Sequence, residues 1–520
     1  MPIPKNEITR RQLLQAAGGM TFLALTPAGS GLYAATLKPE QEHKPTSTKT
    51  GAGPRTLFTA LPYIQPGTAS SKLVEGQEAL VIAWQTNGVL ANYTLEYGIQ
   101  SLDHSGTVTR QERMSAERKV GEQIFNHTAT LNGMKLNTRC RYRVQMDGQT
   151  LLEGYFTTRK PRGVKTRFVA FGDNSYGDIS DRAIAYQVYK ARPDFVMNTG
   201  DNVYEGGLDN EYARYFFPVY NAEQAGQRLG SPLLRSVPFY SVLVNHDVAA
   251  KDFDGGPIAD FDKSVDSLAY YTNFHFPLNG PIPAQPTPTS GKSAALTSFL
   301  TAAGTRYPNM ANYSYDYGDA HFLCLDSNVY IDPTNSALQS WIANDLKSTD
   351  AAWKFVVYHH PAFNAGDDHY AQQHMRVLSP LFEQHGVDVV LHGHEHNYQR
   401  TRPLRFAPKD VTVASQIHVK KRLVPGVFSI DRKFDGKTVT KPDGVLYIVT
   451  GAGGKELYDP HSNNAPARWL HPEDDNADYV ARFISDRHSL TVFDMDHHSL
   501  TLTQIDEWGH EIDPCHITKT

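Results

Sequence analysis

The run Val387-Asp388-Val389-Val390-Leu391-His392-Gly393-His394-Glu395-His396-Asn397-Tyr398 decides how the chain is read. Its first half is a short apolar segment with the composition of a buried strand. Its second half sets imidazoles on alternate residues directly behind that strand. Side chains of successive strand residues point to opposite faces, so histidines spaced this way cannot all meet one ion from straight backbone. Gly393 is expected to supply a bend that lets His394 and His396 converge. Taken alone, the stretch reads equally well as an exposed polar loop or as histidines satisfied inside a core. A metal-binding turn becomes the better reading because Asp, Asn and His residues occur upstream, each at the end of its own apolar run.

Thr166–Phe171 has the pattern of a central strand and ends in Gly172-Asp173-Asn174. A helix is predicted over Ile179–Ala191, with Ile184 and Val188 one turn apart. Asp194-Phe195-Val196-Met197-Asn198 is the next buried strand and runs into Thr199-Gly200-Asp201-Asn202-Val203-Tyr204. Gly-Asp is common in turns, but two of them in one β-α-β unit put both carboxylates where open α/β sheets carry their sites. Residues 239–244 lead into Asn245-His246-Asp247, and residues 353–358 into His359-His360-Pro361. Apolar faces of helical spacing precede the last two strands, first Leu338, Trp341, Ile342 and Leu346, then Val377, Leu378, Leu381 and Phe382, ending at Gly386.

The collected strand-end residues are Asp173, Asp201, Tyr204, Asn245, His359, His394 and His396. Carboxylate, amide oxygen and imidazole together suit hard to borderline cations, with one carboxylate left to bridge a second ion. His246 could donate to a bound phosphate or protonate a leaving group, and Asp247 is expected to fix its tautomer. Three cysteines, Cys140, Cys324 and Cys515, offer neither a thiolate zinc site nor a disulfide framework.

The order Gly-Asp, Gly-Asp-x-x-Tyr, Asn-His-Asp, Val-x-x-His, Gly-His-x-His resembles that of the metallophosphoesterase superfamily over residues 166–506. Tyr204 in the second motif is similar to the purple acid phosphatase branch. A phenol with a pKa of about 10 ionises at neutral pH only beside a strong Lewis acid. The resemblance implies a four-layer α/β/β/α sandwich and a dinuclear acid phosphatase in which a metal-activated hydroxide attacks the phosphorus of a small phosphomonoester. It implies Fe³⁺ on Asp173, Tyr204 and His396, with Asp201 bridging. A divalent Fe²⁺, Zn²⁺ or Mn²⁺ would sit on Asn245, His359 and His394. His246 matches the family's outer histidine and His369 another in plant members, whereas Asp368 replaces the histidine that precedes it there. Val244 stands where the family usually has glycine. His360 and His392 are read as neighbours rather than ligands. A phosphodiesterase or nucleotidase using Mn²⁺, Zn²⁺ or Ca²⁺, and a non-catalytic binding protein, are the alternatives.

Residues 55–160 read as short strands with no helical period. Trp84, Tyr97-Gly98, Leu136-Asn137-Thr138 and Phe156-Thr157-Thr158 resemble the fibronectin type III-like sandwich that precedes the catalytic domain in plant-type purple acid phosphatases. Arg159 to Gly163, with Pro161, is the expected boundary, and residues 164–510 the catalytic domain. Within it, residues 251–308 are expected to form a lid over the metals or a disordered insertion. Residues 312–318 and 320–326 are assigned to a second sheet, with 444–454 and 499–505 as further strands.

Thr9-Arg10-Arg11-Gln12-Leu13-Leu14 and the weakly apolar residues behind it resemble a twin-arginine export signal over residues 1–35, with a flexible linker over 36–54. The resemblance implies the twin-arginine machinery as a partner and a periplasmic or secreted protein. The apolar stretch is too short for a stable membrane anchor. With 40% hydrophobic and 20% charged residues and a net charge of −5, the chain shows no footprint for nucleic acid.

Overall fold

Phe168 stands at the seam of two sheets. It stacks on Phe195 and Phe493 of its own sheet at 5.1 and 4.5 Å and meets Phe322 and Phe355 of the facing sheet edge-on at 5.2 and 5.3 Å. The computed structural model describes residues 58–519 apart from 69–70, 89, 115–122, 249–255, 282–288 and 292–293. The expected export signal and linker lie outside these residues. Among the described residues no helix is long and apolar enough to cross a membrane.

The first sheet has six strands in the order Phe239–Ser241, Phe195–Asn198, Thr166–Phe171, Ser489–Met495, Ser499–Asp506, Glu511–Thr518. The first three run parallel, as the β-α-β reading requires, and the last three pair antiparallel. The second sheet has seven strands: Tyr313–Tyr317, Ala320–Cys324, Trp353–Val357, Val389–His392, Leu446–Thr450, Tyr398–Thr401 and Val480–Ile484. Alternation sends Phe322, Phe355 and Val389 to the seam and Leu323, Val356 and Val390 to a second core, where Ile342 and Leu346 of the helix Ser336–Ser348 pack. On the first sheet the helix Ile179–Ala191 buries Ile184, Ala185 and Val188 and starts at an Asp178 N-cap. Helix, sheet, sheet and helix thus make a four-layer sandwich, preceded by an all-β region.

The pairing settles what the apolar pattern left open. The strands before His359 and His394 belong with Ala320–Cys324 in the second sheet, and Ser499–Asp506 belongs to the first. Alternation of apolar residues marks a strand without naming its neighbour. The donors therefore come from both sheets: Asp173, Asp201 and Asn245 from one, His359, His394 and His396 from the other.

The all-β region is two antiparallel four-stranded sheets, one built on Phe58–Gln65, Glu78–Asn87, Gln123–Met134 and Val108–Met114, the other on His104–Gly106, Tyr93–Gly98, Arg139–Met146 and Gln149–Thr157. Trp84, Ile82, Leu95 and Val144 fill the space between them. The outer face of the first sheet gives Ala60, Tyr63, Val81 and Ala83 to the core between the two larger sheets. Polar contacts complete that junction: Gln85 Nε2 donates to Asp209 and Asn273 at 3.0 and 2.7 Å, and the buried Arg113 donates to the Asp266 carbonyl at 2.6 Å. Arg159, at the expected boundary, is buried on Glu78 at 2.8 Å and reaches the Asp316 carbonyl at 3.1 Å. The described residues of both regions belong to one compact unit.

The insertion 251–308 is not the lid it could have been, in its described parts. Tyr270, Tyr271, Phe274 and Phe276 are buried in the main core, and Ser298 of the helix Ala294–Ala303 donates to the Glu112 carbonyl of the all-β region. Its aromatic residues explain this, because they have more to gain from burial than a solvent-facing flap allows.

Candidate metal centre

Each donor is turned inward by the loop that leaves its strand. Asp173, Asp201 and His394 have φ of 60°, 50° and 68°, a region that side chains other than glycine's occupy at a cost and that clusters at functional sites. The bend expected at Gly393 is thus made by His394 itself. Gly393 serves a different need, since a Cβ there would lie 2.5 Å from Asp173 Oδ2, 2.9 Å from His359 Nδ1 and 3.0 Å from Thr199 Oγ1. Its missing side chain lets the two sheets' loops close on each other.

Two groups of donors result. Asp173, Asp201 and His396 bring one ligand atom each within 4.8 Å of the others, and so do Asp201, His359 and His394. Asp201 is common to both, as a bridging carboxylate must be. Tyr204 Oη lies 3.5 Å from Asp173 Oδ1 and 3.3 Å from His396 Nε2, which joins it to the first group. Asn245 lies beside the bridge, because the next backbone N–H, that of His246, donates to Asp201 Oδ1 at 3.2 Å. Asn245 Oδ1 and His359 Nε2 are buried, the first with no hydrogen-bond partner and the second with no well-aligned one, although Asp201 Oδ2 lies 3.3 Å from it. Native interiors rarely leave such atoms unpaired, and here they are the atoms a cation would take. Six of the candidate ligands converge by these distances, Asn245 adjoins them through its neighbour's backbone, and the donor set fits two ions.

The imidazole tautomers are fixed from outside the site. His359 Nδ1 donates to the Thr199 carbonyl at 2.9 Å and His396 Nδ1 to the Glu456 carbonyl at 2.7 Å, so both present Nε2 to the carboxylates. Burial keeps His396 neutral, with a pKa of about 3, and pulls His394 down as well. Burial also opposes charge on His359, but Asp201 and Asp173 raise it to about 9. Burial likewise pushes Asp173 up, against the pull of His359. A pocket that protonates its own histidine is short of positive charge, which a bound cation would supply.

The other candidates are placed as follows. The His246 ring lies 4.5 Å from Tyr204, with Nε2 4.0 Å from Asp201 Oδ2. Asp247 does not set its tautomer: His246 Nδ1 faces the Glu205 carbonyl at 3.2 Å, while the Asp247 carboxylate accepts from Tyr212 at 2.8 Å and Asn202 at 3.2 Å. The short 3₁₀ turn Asn245–Asp247 rotates consecutive side chains apart, so residue 247 faces the loop interior. Val244 has extended backbone (φ −144°, ψ −178°), which a β-branched residue adopts freely, so this departure from glycine leaves Asn245 in place. His369 lies 4.0 Å from the His394 ring, and its Nδ1 is 2.8 Å from Gln372 Nε2.

Residues 166–398 match the Calcineurin-like phosphoesterase family. Over that stretch, which holds all seven candidate ligands, the chain has a calcineurin-like phosphoesterase domain. An uncharacterised protein of Mycobacterium tuberculosis is 23% identical over 466 residues, covering 81% of this chain and 82% of that protein. Purple acid phosphatase 17 of Arabidopsis thaliana is 26% identical over 237 residues, 45% of this chain and 62% of that protein. The purple acid phosphatase PPD1 from yellow lupin (Lupinus luteus) seeds has the same fold, with a TM-score of 0.55 at 16% identity, over 88% of this chain and 74% of the lupin chain.

Several residues of the phosphoesterase domain that matter to the site carry no signal in the sequence. Tyr458 stacks on His396 at 3.9 Å. Gln372 bridges His369 and His394, its Oε1 lying 3.2 Å from His394 Nε2. Glu395, fully buried between two candidate ligands, accepts from the His369 backbone N–H at 2.9 Å. Asp181 gathers the backbone N–H groups of Ser175, Tyr176, Gly177 and Asp178 at 2.7 to 3.2 Å and so holds the loop behind Asp173. Only the proximity of Asp181 to Asp173 in sequence could have hinted at any of these roles.

Proposed function

We propose that the phosphoesterase domain is a purple acid-type phosphatase that hydrolyses phosphomonoesters. Asp173, Tyr204 and His396 would hold Fe³⁺, Asp201 would bridge, and Asn245, His359 and His394 would hold a divalent Fe, Zn or Mn. The observation that carries this reading is the position of Tyr204 Oη between Asp173 and His396 in a fully buried pocket. Burial and the charges of Asp201 and Asp173 push that phenol well above its ordinary pKa, so only a strong Lewis acid could ionise it there. A hydrogen-bonded phenol packed among carboxylates needs no such ion, and spectroscopy separates the two.

When bound, the two cations supply Lewis acidity toward the phosphoryl oxygens and make water a nucleophile near neutral pH. The chain's own residues do the rest. Thr199 and Glu456 hold His359 and His396 with Nε2 inward, so the donors are oriented before substrate arrives. His246, tied to the Glu205 carbonyl through Nδ1 and only partly exposed, presents Nε2 beside Asp201, where it can donate to a phosphoryl or leaving-group oxygen. His369, pulled down to about 4 by burial, is neutral at physiological pH and is oriented by Gln372.

The test is the visible spectrum of purified, iron-containing protein. A tyrosinate-to-iron charge-transfer band that vanishes in Tyr204→Phe, with hydrolysis of an aryl phosphate monoester exceeding that of the diester, is the expected result. A colourless protein with full iron content, or preferred diester turnover, rejects the reading. The same proposal takes residues 1–35 as a twin-arginine signal for release to the periplasm or beyond, residues 55–160 as a fibronectin type III-like sandwich, and residues 164–510 as the catalytic domain. Its support is the residue pattern of those segments.

A further inference from the structure

Beside the two cation positions, the loops 364–369 and 456–461 collect a second set of donors. Asp367, Asp459 and His461 each bring a ligand atom within 4.8 Å of the others. His461 Nε2 is 3.0 Å from Asp367 Oδ2 and 4.0 Å from Asp459 Oδ1. Hydrogen bonding accounts for the exposed half of this cluster but only in part for the buried half, where Asp459 accepts from the Asp367 backbone N–H. Asp459 is 5% exposed and Glu395 0%, and Asp459 Oδ2 and Glu395 Oε2 have no hydrogen-bond partner. Both oxygens border one small volume. A Cβ built on Gly366 would stand 2.5 Å from Asp459 Oδ2, 2.7 Å from Glu395 Oε2 and 3.1 Å from Asn364 Oδ1.

The charged groups acting on Asp459 are Asp368, Asp367 and, with opposite sign, His461. Buried carboxylates crowded this way are costly unless a cation joins them. We propose that this is a further cation site, in which Asp367, Asp459 and His461 bind a divalent ion between the two loops while Glu395 adds negative charge beneath it. Two carboxylates and an imidazole favour Zn²⁺ or Mn²⁺ over Ca²⁺, which prefers an all-oxygen shell. The ion's role is positioning. It ties Tyr458, which stacks on His396, to the loop whose His369 N–H donates to Glu395 Oε1.

Elemental analysis of protein dialysed against micromolar Zn²⁺ or Mn²⁺ tests the assignment. His461→Ala and, separately, Asp367→Asn should each lose one metal equivalent per chain relative to wild type, while the tyrosinate band at Tyr204 persists. Both residues are exposed, so neither change threatens the fold. Metal content equal to wild type in both variants overturns the site. If wild type lacks the visible band, the reading of Tyr204 fails, but the difference of one equivalent still decides this proposal.

Discussion

A methyl group on Gly393 would stand 2.5 Å from Asp173 Oδ2. The two residues sit on loops from different sheets, and the contact is possible only because one has no side chain. Gly393→Ala is expected to fold, at a cost of about 1–3 kcal/mol for overpacking. It should bind metal weakly and lose at least about tenfold in hydrolysis, since each 1.4 kcal/mol lost in the transition state is a factor of ten. Metal analysis beside a thermal melt checks this. A variant with wild-type metal content and turnover would show that the loops can part without harm.

The His321 ring lies between two carboxylates, with Nδ1 2.8 Å from Asp316 and Nε2 2.8 Å from Asp345. Burial disfavours its charge, but the two acceptors win and raise its pKa. A raised histidine contributes stability that is fully present below its unfolded pKa of about 6.5 and is lost as pH rises through the folded value. Melting temperature should therefore fall as pH rises from about 6.5. His321→Gln should remove that slope and, by leaving two carboxylates facing each other, cost about 3–5 kcal/mol below it. A slope unchanged in the variant would assign the pH dependence to other groups.

Asp181 accepts four backbone N–H groups from the loop that follows Asp173. Oδ2 takes three of them and Oδ1 the fourth, so Asp181→Asn, with one acceptor oxygen, leaves at least one donor facing an NH₂ group, at about 1–3 kcal/mol. Denaturant unfolding should show the loss. Because the loop abuts Asp173, metal affinity should fall with it, whereas a purely global effect would leave affinity at temperatures well below the melt unchanged.

Arg113 joins the all-β region to the phosphoesterase domain, donating to the carbonyl of Asp266 and, at short range, to Ser267 and Thr272. Ala60, Tyr63, Val81 and Ala83 share the core of the phosphoesterase domain. The two regions should therefore unfold in one calorimetric transition, and Arg113→Ala should lower it by several degrees or split it. Two separate transitions in the unaltered protein would contradict a shared core.

Much of the site was legible because its donors lie at strand ends, where an apolar run gives way to Gly-Asp or Asn-His and the change of composition marks the place. The helix Ile179–Ala191 was legible from the one-turn spacing of Ile184 and Val188, and the structure adds Asp178 as its N-cap. What escaped depends on pairing across distance. Nothing in Trp353–Val357 names Ala320–Cys324 as its neighbour, and Glu395 reads as a solvated residue until Asp459 is brought to it by a loop more than sixty positions away. Arg113 sits in Val108–Met114, whose alternating polar residues suggest an open face. It is buried because the insertion covers that face. Asp247 was misassigned because adjacency in sequence was taken for contact, which a 3₁₀ turn does not grant.

Thr166–Phe171 is flanked on one side by Phe195–Asn198 and on the other by Ser489–Met495, a strand near the far end of the chain. During synthesis the ribosome releases the first neighbour at once and the second only about three hundred residues later, so the central strand spends that interval with one hydrogen-bonding edge bare. The growing polypeptide must be kept from pairing that edge with another nascent chain, and a molecule truncated before Ser489 should be found in inclusion bodies.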